Sequence, residues 1–525
     1  MMRTNIRKTI LLLIIIGVLL LILFTFASIG YEQFTNVKNR QIQKAIEQNM
    51  ALWQMSNEQK SDILYEKASR ELDSSYDNFE IYMRWMLDIE TGEGVDALEI
   101  VNANTGEMLL CGPKVVYLHD TEKSLRCGNH FFEYDSNTLL WVQNYGDISN
   151  PSICYLVGLD GELTPVECSV RIAGIAWEQC FLIEGKDKTR TWVDKEGIRS
   201  PISAYGIVAH DLKTVLLPAE YGGPDLDNGS MYYPFFSGGY MFAQRNGKFG
   251  VIGYDLSEKV PFVYDRILLP HHAQVCSYGQ GSKEQGILFL ESGISLEDVT
   301  YQESGIHTVI VTTNSPKSDK VTDYRLLDRS GKLLYKLPDN GRDTLSYDEN
   351  YHPLLNGQLL DIPALTDKSD WAAPAIDSAR TAGLIPAELD QMYQSVAVRR
   401  DLCMLAVQLV RILRPELCET AGQQTETVYW DCPDSEILME DINLAAQLGI
   451  IKGKGCFEPF RPITRRDAAD ILKNTAQLLA TETGRQIKDI LCRSDSGNIS
   501  FDLDEACTSE QLIAAIFCLY QSITD

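Results

Sequence analysis

Between about residue 95 and residue 338 the apolar residues come in short runs, and turn-forming residues separate one run from the next. The runs include Leu98–Val101, Leu139–Val142, Cys154–Val157, Tyr240–Ala243 and His307–Val311. Between them stand Asn104-Thr-Gly106, Asp160-Gly161, Asp194-Lys-Glu-Gly197, Arg245-Asn-Gly247 and Asp328-Arg-Ser-Gly331. Asn and Gly tolerate the positive φ that tight hairpin turns require. Many short runs at fairly regular intervals point to an all-β repeat architecture rather than βαβ units. The spacing predicts an all-β repeat domain over 95–338, propeller-like or a β array.

One segment of that region is sharper than the rest. Residues 240–267 read YMFAQRNGKFGVIGYDLSEKVPFVYDRI: strand, Asn-Gly-Lys turn, aromatic-Gly, strand, turn, strand, Tyr-Asp. The segment resembles the WG-type β repeat, with Gly247, Lys248, Phe249, Gly250, Tyr264 and Asp265 at the motif positions. Phe249 stands where that family has Trp or Tyr. Residues 181–205 and 323–338 are weaker echoes. The resemblance implies an architecture and no assigned chemistry.

Upstream, Thr9 to Tyr31 contains no charged side chain. At about 1.5 Å per residue a helix of that length spans the ~30 Å hydrocarbon core of a bilayer. The expectation is a cytoplasmic tail over 1–8, then a transmembrane helix, a signal anchor, over 9–31. The alternative is a cleaved signal peptide, with Arg3, Arg7 and Lys8 as its basic region and Ala27-Ser28 as a small-residue cleavage site. Residues 32–90 lack Pro, and Ile42, Ile46, Met50 and Trp53 recur at helical spacing. They predict a helical stalk, with a dimerising coiled coil as the alternative. Residues 339–370 are polar, contain Pro353 and Pro363, and read as a linker.

Beyond the linker the chain repeats itself. Trp371, Ile376, Ala379 and Gly383 align with Ile437, Ile442, Ala445 and Gly449, and Arg399-Arg400-Asp401 aligns with Arg465-Arg466-Asp467, at an interval of 66 residues. Each Arg-Arg-Asp precedes an amphipathic run, which predicts helices. A partial third copy begins at Phe501 and places Thr508 on Thr464. Thr464 is suited to a helix N-cap, accepting from the backbone N–H of Asp467, and Asp467 suits the positive helix end. A helix start bearing a guanidinium fork suits a carboxylate or phosphate.

The Trp-Ala opening, Gly-Leu/Ile-Ile turn, Phe-x-Pro loop and Thr-Arg helix start resemble the S-layer homology module. The expected repeats are 371–414, 437–480 and a partial 485–525, all α-helical. The resemblance implies binding of a secondary cell-wall polymer, or a glycan linked to peptidoglycan, in grooves between repeats. Its implied contacts are Arg465 and Arg466 with Thr464, Arg399 and Arg400, together with Trp371, Gly383 and Gly449. Val398 replaces the expected Thr in the first copy and Ser509 replaces the expected Arg in the third, so at most two grooves are competent.

Composition narrows the function classes. Asp and Glu number 73 against 47 Lys and Arg, giving a formal charge of -26, which excludes the net basic face that nucleic acid requires. There are 13 Cys and no CxxC. Cys403 and Cys518 read as core residues, and Cys418 with Cys432 or Cys492 with Cys507 can bridge loops. His271-His272 are adjacent on a strand, point to opposite faces and do not chelate together. No nucleophile, metal or nucleotide motif is present, so the sequence calls for no metal and no cofactor and predicts a protein that is not an enzyme. The fold class expected is multidomain: single transmembrane helix, helical stalk, all-β repeat domain and all-α repeats. The function expected is a membrane-anchored cell-envelope protein that binds wall polymer and displays the β domain. The alternative is an extracellular sensor or scaffold whose β domain binds a peptide, glycan or protein, with the helical repeats only structural.

Overall fold

The computed structural model describes residues 40, 43–44, 46–53, 71–421, 429, 439–451, 457–480, 485–493 and 502–524. Within 71–421 it leaves out 77, 88–93, 121–122, 147–149, 178–179, 194–198, 225–230, 233, 269–274, 281–282, 315–320 and 341. The tail 1–8, the apolar run 9–31 and His271-His272 lie outside the described residues. The chain forms two compact units, Met1–Ile172 and Ala173–Asp525.

The first unit holds a four-stranded sheet (Glu71–Ser75, Phe79–Leu87, Gly94–Asn102, Met108–Pro113) and a five-stranded sheet (Val115–Asp120, Lys123–Asp135, Thr138–Tyr145, Ile153–Gly158, Leu163–Val166). Both are antiparallel meanders in sequence order. Phe79, Ile81, Leu98 and Ile100 from one sheet meet Phe131, Leu139 and Trp141 from the other. Trp53 is fully buried among them, with ring centroids 5.2 Å from Phe131 and 5.0 Å from Trp141. One helical turn before it, Asn49 is also fully buried. Its amide donates to Asn129 Oδ1 at 2.9 Å and to Tyr145 Oη at 3.2 Å.

These facts correct the stalk. The helical spacing of Ile46, Met50 and Trp53 is real, since residues 46–53 are helical, but the face it builds is packed into the sheets. Residues 71–87 supply two strands, in which buried Phe79 and Ile81 alternate with half-buried Glu80 and Tyr82 as a strand requires.

The second unit continues with four-stranded meanders over 171–221, 235–264, 266–297 and 299–338, and a three-stranded one over 345–359. Successive sheets pack face to face, and the two-residue alternation of a strand assigns each side chain to one neighbour. In Tyr240–Arg245, Tyr240 and Phe242 face Cys276 and Leu288 of the following sheet, while Met241 and Ala243 face Ile207 of the preceding one. In Lys283–Phe289, Leu288 faces back and Ile287 and Phe289 face forward to Val309 and Val311. In Thr308–Asn314, Ile310 then turns to Leu326 and Leu345. Strands buried on both sides read as continuous apolar runs, which is why the runs were visible. Residues 240–267 form the predicted hairpins, with Asn246 and Gly247 at φ 56° and 76° and Lys248 paired to Asp265.

The linker over 339–370 is also corrected. It forms strands Leu345–Tyr347, Pro353–Leu355 and Gln358–Leu359 and the short helix α1, Pro363–Thr366. Its polar residues are turn residues: Asp348 accepts from the backbone N–H of Asn350 and His352 at 2.9 and 2.8 Å, as Asx turns do.

The expected fold class is corrected accordingly. The described chain is mostly β, in several separate sheets, followed by a helical module. Among the described residues no helix is long and apolar enough to cross a membrane, so the single transmembrane helix has no support there. The module contains α2 (Ala373–Thr381), α3 (Arg399–Leu413), α4 (Pro415–Ala421), α5 (Met439–Gln447), α6 (Arg465–Leu478), α7 (Arg485–Leu491) and α8 (Ser509–Thr524) around one apolar core.

Candidate functional site

The three repeats meet through the loops that precede α3, α6 and α8. The backbone N–H of Ala397 donates to Cys507 O, that of Ile463 to Ala397 O, and that of Cys507 to Ile463 O, at 2.8–3.0 Å. A second set runs round the ring in the opposite sense: the N–H of Arg399 donates to Arg461 O, that of Arg465 to Glu505 O and that of Ser509 to Ser395 O. Each repeat thus hands one strand-like residue to each of the other two, a pseudo-threefold ring. The degenerate third copy is a full member of it.

The ring places the three helix starts in equivalent positions with different chemistry. At α6, Thr464 accepts from the N–H of Asp467 at 3.1 Å, the N-cap its sequence predicts. At α3 the Thr is Val398, and the cap survives in reverse: Asp401 accepts from the Val398 N–H at 2.9 Å. At α8, Gln511 does the same for Thr508 at 2.7 Å.

The arginines diverge more. Arg400 is fully buried; its Nη2 donates to Ile306 O at 3.3 Å and its guanidinium lies 5.1 Å from the centre of the Phe460 ring. It holds the helical module against the β array and is removed from any surface groove. Arg399 lies over Phe457, 5.1 Å from its centre, and near Glu458 at 3.9 Å. Glu458 and Phe460 are in turn pressed against Gly239 and Gly238 of the β array. At the third position Ser509 offers no cation, and the fully buried Glu510 accepts from the Ser369 N–H at 2.9 Å and Oγ at 2.7 Å.

The second helix start is different. Arg465 and Arg466 line a cavity of about 260 Å³ with Ala469, Asp470, Lys488, Leu491, Cys492 and Leu503. The cavity lies between α6, α7 and the loop before α8, that is, between the second and third repeats. The Arg465 side chain is only 2% exposed; its Nη1 meets Glu505 Oε2 at 2.6 Å and donates to Asp502 O at 3.0 Å. Arg466 is more than half exposed and donates from Nε and Nη2 to Asp504 Oδ1 at 3.2 and 3.0 Å. Of the eight residues singled out in the sequence, only Arg465 and Arg466 line this cavity, with Thr464 capping the helix that carries them.

The remaining residues have structural places. Gly383 and Gly449 both have φ of 71° and end α2 and α5. The following residues, Leu384 and Ile450, donate back to Ala379 O and Ala445 O, which is the Schellman stop that favours glycine. Trp371 is half-buried on the module core, with the Arg493 guanidinium 5.6 Å from its ring centre. Lys488 lines the groove, Asp504 and Glu505 pair with its arginines, and none of the three carries a motif. Asp504 and Glu505 align with Phe460 and Arg461 of the second copy, so the repeat pattern expects no carboxylate there, and Lys488 precedes the aligned part of the third copy. Of the cysteines, Cys403 is in the core, where burial pushes its thiol up to about 12. Cys418, Cys492, Cys507 and Cys518 are free thiols, and Cys432 lies outside the described residues. No group of three or more His, Cys, Asp or Glu suited to a metal occurs among the described residues.

Residues 434–469 match the S-layer homology domain. The chain therefore carries that domain, the mark of a cell-surface protein. No curated protein matches the chain. Among solved structures, "Crystal structure of the eukaryotic initiation factor" is similar at 10% identity and TM-score 0.20, over 53% of this chain and 90% of that one. An acylaminoacyl peptidase of Pyrococcus horikoshii is similar at 11% identity and TM-score 0.23, over 53% of this chain and 41% of the peptidase. The β-propeller domain of the Trilobed protease from Pyrococcus furiosus is similar at 10% identity and TM-score 0.21, over 54% and 75%. The expectation of a protein that is not an enzyme finds no support in this company, which includes peptidases. The likeness is weak and partial, and it assigns no catalytic residue to this chain.

Proposed function

We propose that this cell-surface protein binds an anionic secondary cell-wall polymer in the groove between its second and third helical repeats. The observation that carries the reading is the cavity at the start of α6, where Arg465, Arg466 and Lys488 converge. A buried guanidinium at a helix N-terminus binds a carboxylate or phosphate through charge-assisted hydrogen bonds, reinforced by the helix dipole. Lys488 adds a mobile point charge from the opposite wall. The Arg399 position is closed by Phe457 and Glu458, and the third position has no arginine. Among the described residues this leaves one groove with its arginines in place, which makes one weak tether rather than a cooperative clamp. The β array acts as the platform on which the module is seated, through Arg400, Phe460 and Glu458.

The test is co-sedimentation of the full chain with wall sacculi, native and stripped of polymer. Arg465→Ala should lower the apparent affinity on the order of tenfold or more, while Arg399→Ala should leave it within about twofold. Equal sedimentation of wild type with native and stripped sacculi defeats the reading.

A further inference from the structure

The groove's cations are already matched by the chain's own anions. Glu505 Oε2 lies 2.6 Å from Arg465 Nη1, and Asp504 Oδ1 takes two hydrogen bonds from Arg466. Both carboxylates come from the same four-residue stretch, Asp502-Leu-Asp-Glu505, which also supplies the Asp502 carbonyl to Arg465. Exposure separates the partners: the Arg465 side chain is 2% exposed and that of Glu505 is 53% exposed. The buried cation is fixed, and its counter-ion faces solvent. That is the geometry of a captured carboxylate ligand, with the protein supplying the carboxylate.

We propose that Glu505, with Asp504, is a displaceable internal counter-ion that makes the groove selective for ligands bearing closely spaced anionic groups over single carboxylates. The proposal rests on the groove reading above and adds the ligand class to it. A ligand with one carboxylate merely exchanges one ion pair on Arg465 for another and gains little. A ligand with two adjacent anionic groups replaces both Glu505 and Asp504. It also reaches Lys488, whose side chain lines the same cavity. Discrimination of this kind comes from what the wrong ligand must break as much as from what the right one makes. Glu505 is a specificity residue acting through Arg465.

Arginine labelling by phenylglyoxal, read by peptide mass spectrometry on the full chain, tests this without knowledge of the polymer. Glu505→Gln keeps an acceptor on Nη1 and removes the charge, so labelling of Arg465 should rise on the order of tenfold. Glu505→Asp should restore most of the shielding. In wild type, citrate should protect Arg465 where pyruvate at equal ionic strength does not; in Glu505→Gln/Asp504→Asn both should protect. Arg400, fully buried, must stay unlabelled in every variant, which certifies the fold. Unchanged Arg465 labelling in Glu505→Gln, or equal protection of wild type by citrate and pyruvate, overturns the proposal. Wild type that fails to sediment with native sacculi overturns the wall reading alone, and the labelling still decides the role of Glu505.

Discussion

Trp53 and Gly112 form a pair whose energetics can be worked from geometry. Trp53 is fully buried between two sheets and touches Phe131 and Trp141. Truncation to Ala removes a buried indole and leaves a cavity, at a cost of about 3–5 kcal/mol. Gly112 lies close against the indole: a Cβ there would stand 2.4 Å from Trp53 Cδ2 and 2.5 Å from Cε2. The indole is held by two other rings and cannot retreat, so Gly112→Ala alone should cost about 1–3 kcal/mol through overpacking. In the double variant the clash is gone, because the methyl group enters the space the indole left. The two effects should therefore fail to add, by about 1–3 kcal/mol in the favourable direction. Native-state amide exchange at Leu98, Ile100 and Trp141 reads the local opening free energy in a multidomain chain where a single melting curve would not. If Trp53→Ala leaves protection in those strands unchanged, the helix at 46–53 is a spacer after all. If the two substitutions add, the indole and Gly112 are not in contact.

Two further outcomes follow from the second unit. Gly383→Ala and Gly449→Ala meet no atom within 4 Å but must adopt φ near 71°, so each should cost about 1–2 kcal/mol. The two losses should match, read as lost amide protection at Leu384 and Ile450. His307 is buried beside Asp401, Arg329 and Arg400. Burial lowers its pKa to about 3; the two cations lower it and Asp401 opposes them. An unfolded histidine takes a proton near 6.5, so between those values the unfolded chain binds more protons and stability falls as pH falls. The melting temperature of the second unit should drop between pH 7 and 4.5, and His307→Gln should flatten that drop. A wild-type melting temperature independent of pH over that range would show His307 binding its proton equally in the folded and unfolded chain, and would refute the effect of burial.

Much of the architecture was legible because it rests on local chemistry. The Asn246-Gly247 hairpin, the Gly383 and Gly449 helix stops and the Thr464 cap each depend on a residue type with one strong conformational preference. Other turns of the same kind escaped notice. Asp211, Asp255 and Asp348 accept from the backbone N–H two residues on, as Asp160 and Asp328 do. The left-handed position beside them holds Leu212, Leu256 and Tyr351 instead of glycine, so a search for glycine passes over them. The stalk was misread because a helical stripe of Ile46, Met50 and Trp53 is the same whether its partner is another helix or a sheet. In the groove, the guanidinium of Arg465 was legible from a repeated motif. Lys488 and Glu505 were not, because they are brought to it by tertiary contact from the irregular third copy. Arg400, which shares its motif position with Arg466, went into the interior because the β array covers that face of the first repeat.

The ring of backbone bonds among the three repeats has a consequence for how the module is made. Ala397 has no partner for its N–H until Cys507 exists, and Ile463 and Cys507 are bound to each other as well as to Ala397. No repeat is a finished unit, and the first two must wait, with their apolar helix faces uncovered, until the third has been synthesised. Contacts that span so much sequence close slowly. A chain interrupted before the third repeat would remain open and exposed to proteases. The ring therefore tolerates Ser509 and Glu510 in place of the arginines of the other copies, whereas loss of the segment that carries them would open it.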